Sequence, residues 1–251
     1  MRWFSLTLLL VGCAGEIGIG EIDSDDPDAI DPAEYEGATL RIVSPESGDF
    51  LAWGQTHDFV AEVRNGDGEL LEAELDVAWN STADPLWAPA GLTFSDDSID
   101  VGTHSLTAEV ELPNGDRVAH TIGGVLVQAE EAGTYVGTFS ASASIQNFPV
   151  ACAGASVLII DPYGEVLDGT ADCLAKAGNF DLPLDFTVTG NHADGNIEGV
   201  ASAQIIAFPV EFPTTGTLEG ETLTLGFEGE VLNNPFAGSV TAQRISRDTG
   251  Q

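Results

Sequence analysis

Between about residue 38 and residue 247, apolar and polar side chains alternate with a period of two. That rhythm is the strongest constraint on what this chain can fold into. Phe59, Ala61 and Val63 alternate with Val60, Glu62 and Arg64; Leu75, Val77 and Trp79 alternate with Glu74, Asp76 and Asn80. His104, Leu106, Ala108, Val110 and Leu112 alternate with Ser105, Thr107, Glu109 and Glu111. Successive side chains of a strand point to opposite faces, so each run buries one face and wets the other. No stretch repeats at the 3.6-residue period of a long amphipathic helix. The chain therefore reads as all-β.

The alternation falls into two blocks. Residues 37–129 hold about seven short strands over some 90 residues, the density of a β-sandwich. Pro113-Asn114-Gly115-Asp116 reads as a hairpin turn. Pairing Leu112 with Val118 around it puts His120 opposite Val110. Ser44-Pro45-Glu46-Ser47-Gly48, Trp79-Asn80-Ser81 and Asp100-Val101-Gly102-Thr103-His104-Ser105-Leu106-Thr107 resemble the bacterial Ig-like and PKD-like modules. The resemblance implies a sandwich with a core Trp on its third strand. In exported proteins such modules serve as spacers or adhesive units, and fold likeness alone assigns no activity.

Residues 133–247 contain a repeat. Gly133-Thr134-Tyr135-Val136-Gly137 matches Gly195-Asn196-Ile197-Glu198-Gly199. Ser142-Ala143-Ser144-Ile145-Gln146-Asn147-Phe148-Pro149-Val150 matches Ser202-Ala203-Gln204-Ile205-Ile206-Ala207-Phe208-Pro209-Val210. The two offsets differ by an even number, so the same face points inward in both copies. The pattern reads as an antiparallel meander of about eight strands. Its Gly-x-Tyr-x-Gly opening resembles small calycin-like barrels, which implies closure into a barrel; an open two-sheet sandwich is the alternative. Closure removes exposed strand edges, and glycines inside strands permit the sharp coiling closure needs. Few contacts are expected to cross the junction near Glu130-Glu131.

The N-terminus reads as a signal for export. Met1-Arg2 is a short positive end, Trp3 to Val11 is apolar, and Leu10-Val11-Gly12-Cys13 follows. The apolar run is too short to span a bilayer, which takes about 20 residues. The tetrad resembles the bacterial lipobox. That resemblance implies a signal peptide over residues 1–12, cleavage before Cys13, a palmitate-type lipid on that cysteine and anchorage in the cell envelope. Ala14 and Gly15 carry no acidic retention signal of the enterobacterial type, which favours the outer membrane. Residues 13–36 then read as the lipidated cysteine and an acidic tether: Glu21-Ile22-Asp23-Ser24-Asp25-Asp26-Pro27-Asp28 lacks apolar periodicity and repels itself into an extended form.

With Cys13 acylated, Cys152 and Cys173 remain. An even pair in an exported chain reads as a disulfide. Asp161-Pro162-Tyr163-Gly164 has the signature of a type I turn, and folding the chain about it sets Cys152 opposite Cys173.

Composition narrows the partners. Seven basic residues stand against 41 acidic ones, a net charge of −34, and Lys176 is the single lysine. Such a surface does not neutralise phosphates, so nucleic acid is excluded as a partner. No Gly-x-Ser-x-Gly elbow, phosphate loop or His-Glu-x-x-His is present, and His57, His104, His120 and His192 are scattered. His104 and His120 read as core histidines. No enzyme is expected. Calcium is the one cofactor with candidate ligands. Ser95-Asp96-Asp97-Ser98-Ile99-Asp100 clusters Asp96, Asp97 and Asp100, and Asn65-Gly66-Asp67-Gly68-Glu69 places oxygens at alternate positions; the second segment lacks the spacing and terminal Glu of an EF-hand loop, and its Asn-Gly and Asp-Gly pairs are ordinary turn formers. Two functions stay open: a non-catalytic envelope lipoprotein displaying a binding or structural surface to a protein partner, or a barrel that carries a small apolar ligand.

Overall fold

The computed structural model describes residues 31–249 except 72–73, 146–147, 178–179, 206–207 and 232. The protein is all-β. A short 3-10 turn, Pro32–Tyr35, leads into β1 (Thr39–Ser44), β2 (Phe50–Ala52), β3 (His57–Arg64), β4 (Ala78–Ser81), β5 (Thr93–Asp96), β6 (Gly102–Glu111) and β7 (Arg117–Gln128). They form two sheets, β1-β3-β5 and β2-β7-β6-β4, the β2–β7 pair being parallel. The alternating faces meet in a core where Phe59 stacks on Phe94 at 5.0 Å and Trp79 meets Phe94 edge-on at 5.5 Å. The Trp79 indole N–H, which would be costly to bury unpaired, donates to Gly91 O at 2.9 Å.

Eight further strands follow: β8 (Gly133–Ile145), β9 (Phe148–Ile160), β10 (Val166–Ala177), β11 (Phe180–Ala193), β12 (Asn196–Ile205), β13 (Phe208–Glu219), β14 (Thr222–Val231) and β15 (Asn234–Ser246). They close as an up-and-down barrel, with β15 pairing back onto β8. Of the two architectures the repeat allowed, the closed one forms. Gly137 and Gly199 sit where a Cβ would lie 2.0 Å from Thr241 O and 2.2 Å from Thr189 O, so their missing side chains let neighbouring strands close up.

Both hairpin registers differ from the sequence expectation, each by two residues. Around Pro113 the pairs are Val110–Val118 and Ala108–His120, because Leu112 and Asp116 close the loop, with Leu112 N–H donating to Asp116 O at 2.8 Å. Around Pro162 the type I turn forms, Gly164 N–H donating to Asp161 O at 2.9 Å. Gly164 then turns left-handed at φ 76°, and Asp161 Oδ1 accepts from the amides of Glu165 at 2.7 Å and Val166 at 2.9 Å. The loop is thereby longer than the turn alone, and Cys173 faces Gly154 rather than Cys152. A shift of two keeps every side chain on its face, so the cysteines still meet. The Cys152–Cys173 disulfide runs diagonally, with Cα atoms 5.6 Å apart. A Cβ on Gly154 would lie 1.7 Å from Asp172 O, so only glycine allows that approach.

The junction is also tighter than expected. Ala129 N–H donates to Pro162 O at 2.8 Å, and Gln128 Nε2 donates to Arg247 O at 2.8 Å. Trp53 packs edge-on against Tyr163 at 5.3 Å, and the Arg247 guanidinium lies 3.7 Å over the Phe50 ring. Arg244 and Arg247 both donate to Glu130 O. The reason is the short connector: β7 runs into β8 across residues 129–132, and its backbone polar groups must find partners there.

Candidate functional site at the open end of the barrel

Cys13 lies outside the described residues. The calcium candidates lie at the end of β5 (Asp96) and on the loop that follows it (Asp97 and Asp100), and local bonds occupy the carboxylates of two of them. Asp96 accepts from Trp87 Nε1 at 2.7 Å and from Ser98. Burial raises its pKa, but the Trp87 and Ser98 hydrogen bonds outweigh that and hold it below the ordinary carboxylate value. Asp100 Oδ1 accepts from Val101 N–H at 2.7 Å; Asp97 is exposed. Among the described residues no three His, Cys, Asp or Glu side chains gather as a metal site. The Asn65–Glu69 loop is a turn in which Asn65 Oδ1 accepts from the amides of Asp67 and Glu69 at 3.1 and 2.8 Å.

The histidines hold structure. His104 is fully buried. Its Nε2 lies 2.9 Å from Asp100 O, and its Nδ1 lies 2.5 Å from Ser81 Oγ. A carbonyl only accepts, so Nε2 carries a proton; in the neutral ring Nδ1 then accepts from Ser81, and the ring ties β4 to β6. Burial pushes its pKa down. The linkage follows. The unfolded chain takes up a proton near pH 6.5 while the folded chain does not, so stability present above that pH is lost as pH falls below it. The slope contributed is at most about 1.4 kcal/mol per pH unit. His104→Gln should be less stable than wild type at pH 7.5 and lose less between pH 7 and 5.5; parallel denaturation profiles for the two proteins would refute this. His120 is half-buried and its Nδ1 accepts from Ile42 N–H at 3.2 Å.

The barrel interior is filled by rings from five strands. Phe139 lies 5.0 Å from Phe186, Phe212 lies 4.6 Å from Phe236, and Phe227 contacts Phe139 at 5.7 Å and Phe186 at 5.8 Å. Phe139, Phe186 and Phe227 stand on inward rows that alternation marks in the sequence, Tyr135-x-Gly137-x-Phe139-x-Ala141, Leu182-x-Leu184-x-Phe186-x-Val188 and Leu223-x-Leu225-x-Phe227, whereas Phe212 and Phe236 lie outside those rows.

The two ends of the barrel differ. At the end next to the sandwich, ladders reach the turns. At the far end, the strands continue only as four hairpins: β8–β9 to Ile145–Phe148, β10–β11 to Ala177–Phe180, β12–β13 to Ile205–Phe208 and β14–β15 to Val231–Asn234. The ladders between hairpins stop earlier, at Gly154–Cys173, Phe186–Ala203, Thr214–Phe227 and Phe236–Ala143. The barrel thus opens into four petals. The disulfide joins the first two petals where their shared ladder ends.

The second strand of each petal carries an exposed proline beyond the end of its ladder to the next petal, Pro149, Pro183, Pro209 and Pro235, with Pro213 a further one on β13. A proline has no N–H to give a neighbouring strand, so it suits an open edge. The residue after each of the first four, Val150, Leu184, Val210 or Phe236, packs against the barrel core. The sequence repeat contained only Pro149 and Pro209. The other two petals have Leu182-Pro183-Leu184 and Asn234-Pro235-Phe236, and the proline, not residue identity, is the signal that reveals all four.

Within the petals lies an apolar mouth, a cavity of about 50 Å³ lined by Ala143, Val150, Cys152, Leu184, Ile205 and Phe236 among others. It shares Ser142, Ala143 and Phe236 with a groove of about 780 Å³ in the cleft between the last petal and the first. Glu228, Glu230, Pro149 and Pro235 line that groove, and both glutamates are exposed. The arrangement offers an apolar recess beside negative charge.

No protein-family model matches the chain, and no curated protein matches it. Two solved structures are distantly similar. One is a transferrin binding protein B from serogroup B Neisseria meningitidis, 11% identical, with a TM-score of 0.34, matching 74% of this chain and 49% of that one. This chain thus spans about half of that protein's length. The other comprises fibronectin(III)-like modules of Clostridium thermocellum CbhA, 15% identical, with a TM-score of 0.30, matching 69% of this chain and 91% of that one.

Proposed function

We propose that the chain is a non-catalytic, lipid-anchored protein of the bacterial cell envelope, held at the outer membrane through Cys13, that presents the open end of its barrel as a binding surface. The observation that carries this reading is the contrast between the two parts of the barrel. Its middle is packed with phenylalanine rings, while its far end opens on an almost wholly apolar recess lined by Ala143, Val150, Leu184 and Phe236 among others. The Cys152–Cys173 disulfide supports an oxidising compartment. The tetrad ending in Cys13 supports the anchor, where several acyl chains at about 0.8 kcal/mol per buried methylene hold a protein stably. A cavity of about 50 Å³ is far below the roughly 300 Å³ at which small-molecule sites begin, which weighs against a ligand carrier.

Radiolabelled palmitate fed to expressing cells is expected to label the wild type and not Cys13→Ala. Equal labelling of both would remove the anchor from the reading.

A further inference from the structure

The open end of the barrel has two adjoining parts of different chemistry. The inner part is the mouth. Its lining is almost wholly apolar, and Ala143 and Phe236 stand on either side of the last rung of the β15–β8 ladder. The outer part is the groove in the same cleft, where the exposed Glu228 and Glu230 lie on the β14 wall and are paired across to Ala237 and Pro235. Neither partner is charged, so nothing across that ladder neutralises either carboxylate. Lys176 is the sole basic residue among the described residues of the petals; Arg41, Arg64 and Arg117 belong to the sandwich, and Arg244 and Arg247 to the junction.

We propose that the β15–β8 cleft is a docking site for a cationic protein segment. One aliphatic side chain of the segment enters the mouth between Ala143 and Phe236, and flanking Lys or Arg side chains meet Glu228 and Glu230. This rests on the reading of the open end as a binding surface. Charge decides the occupant. An anionic bilayer is repelled by an acidic rim, and an acidic or neutral peptide leaves the two carboxylates without a counter-charge. A recess of about 50 Å³ accommodates the tip of one side chain, not a whole lipid tail. The anchor supplies affinity through burial, and the charges supply orientation and encounter rate.

The test uses the full chain and a labelled pentapeptide, Lys-Lys-Leu-Lys-Lys, with photo-leucine at the centre. Its binding is followed by fluorescence anisotropy at about 0.15 M salt, where distant charges are screened. Crosslinks are expected on β8 and β15 near Ala143 and Phe236. Binding should weaken about tenfold in Glu228→Gln/Glu230→Gln, and should be lost in Ala143→Trp, which fills the mouth; circular dichroism checks that each variant is folded. Glu198→Gln, an exposed position toward the closed end, controls for the general negative field and should bind like wild type. Four results would overturn the proposal: equal weakening by Glu198→Gln and the double variant, equal binding of a peptide with serine at the centre, equal binding of Glu-Glu-Leu-Glu-Glu, or crosslinks spread over the outer wall. Binding of phosphatidylcholine vesicles that Ala143→Trp abolishes would also overturn it, in favour of a lipid surface. The palmitate result is independent of all of these, so loss of the docking site and loss of the anchored reading are distinguishable.

Discussion

Replacing Phe186 by alanine is expected to lower the stability of the barrel by about 3–5 kcal/mol, the usual cost of deleting a buried ring. Phe186 is 1% exposed and its ring contacts those of Phe139, Phe212, Phe227 and Phe236. The gap left by its loss lies in a closed barrel, where strands held by ladders on both sides have little freedom to collapse inward. Phe208→Ala is the control, since that side chain is 57% exposed and its removal should change stability by less than about 0.5 kcal/mol. Chemical denaturation followed by far-ultraviolet circular dichroism measures both. A loss below about 1 kcal/mol for Phe186→Ala would mean that the rings do not form a packed centre. The four tryptophans are Trp3, Trp53, Trp79 and Trp87, and none lies in a barrel strand. Trp79 and Trp87 are buried in the sandwich core and Trp53 sits at the junction, so tryptophan fluorescence follows chiefly the sandwich, and its transition should move less than the dichroism transition does.

The second large effect concerns the disulfide. Cys152→Ser/Cys173→Ser should destabilise the barrel by about 3 kcal/mol, the loop-closure value for a separation of 21 residues. The change is expected to be local before it is global. The β9–β10 ladder ends at Gly154–Cys173, so the bridge holds the first two petals together where hydrogen bonds cease. Amide exchange should accelerate in residues 148–154 and 173–177 at denaturant concentrations where residues 157–160 and 167–170 remain protected. Uniform acceleration along both strands would show that the bridge restrains the unfolded chain alone and has no particular role at the mouth. Under non-reducing conditions, mass mapping of the wild type should recover one peptide joining Cys152 to Cys173.

Faces were legible in the sequence and registers were not, and both outcomes have one origin. A strand's face depends only on parity. Parity survives any even shift, which is why Tyr135, Phe139, Ile197 and Ala201 are inward as their alternation implies. Register depends on how many residues a loop consumes, and that is decided by atoms outside the alternation. Around Pro162 the deciding atoms are Asp161 Oδ1 and the left-handed Gly164. The junction was hidden for a different reason. Its bonds join residues far apart in the chain, Gln128 to Arg247 and Phe50 to Arg247, and no local pattern announces them. The petals lay between these cases. Their prolines are in plain view, but matching by identity finds two of the four, because the residues flanking Pro183 and Pro235 differ from Phe-Pro-Val.

The fourfold division of the open end separates two properties that most binding sites must negotiate together. The phenylalanine rings that hold the barrel are shared among its strands, and a change in one disturbs its neighbours in several others. Each quadrant of the mouth is instead furnished by its own hairpin, with Val150 from the first, Leu184 from the second, Ile205 from the third and Val231 from the fourth. Selection acting on Val150 or Ile205 can thus reshape one quarter of the recess while the other quarters keep their geometry. A lineage carrying this architecture is able to drift in what it recognises, one hairpin at a time, on a scaffold that stays the same.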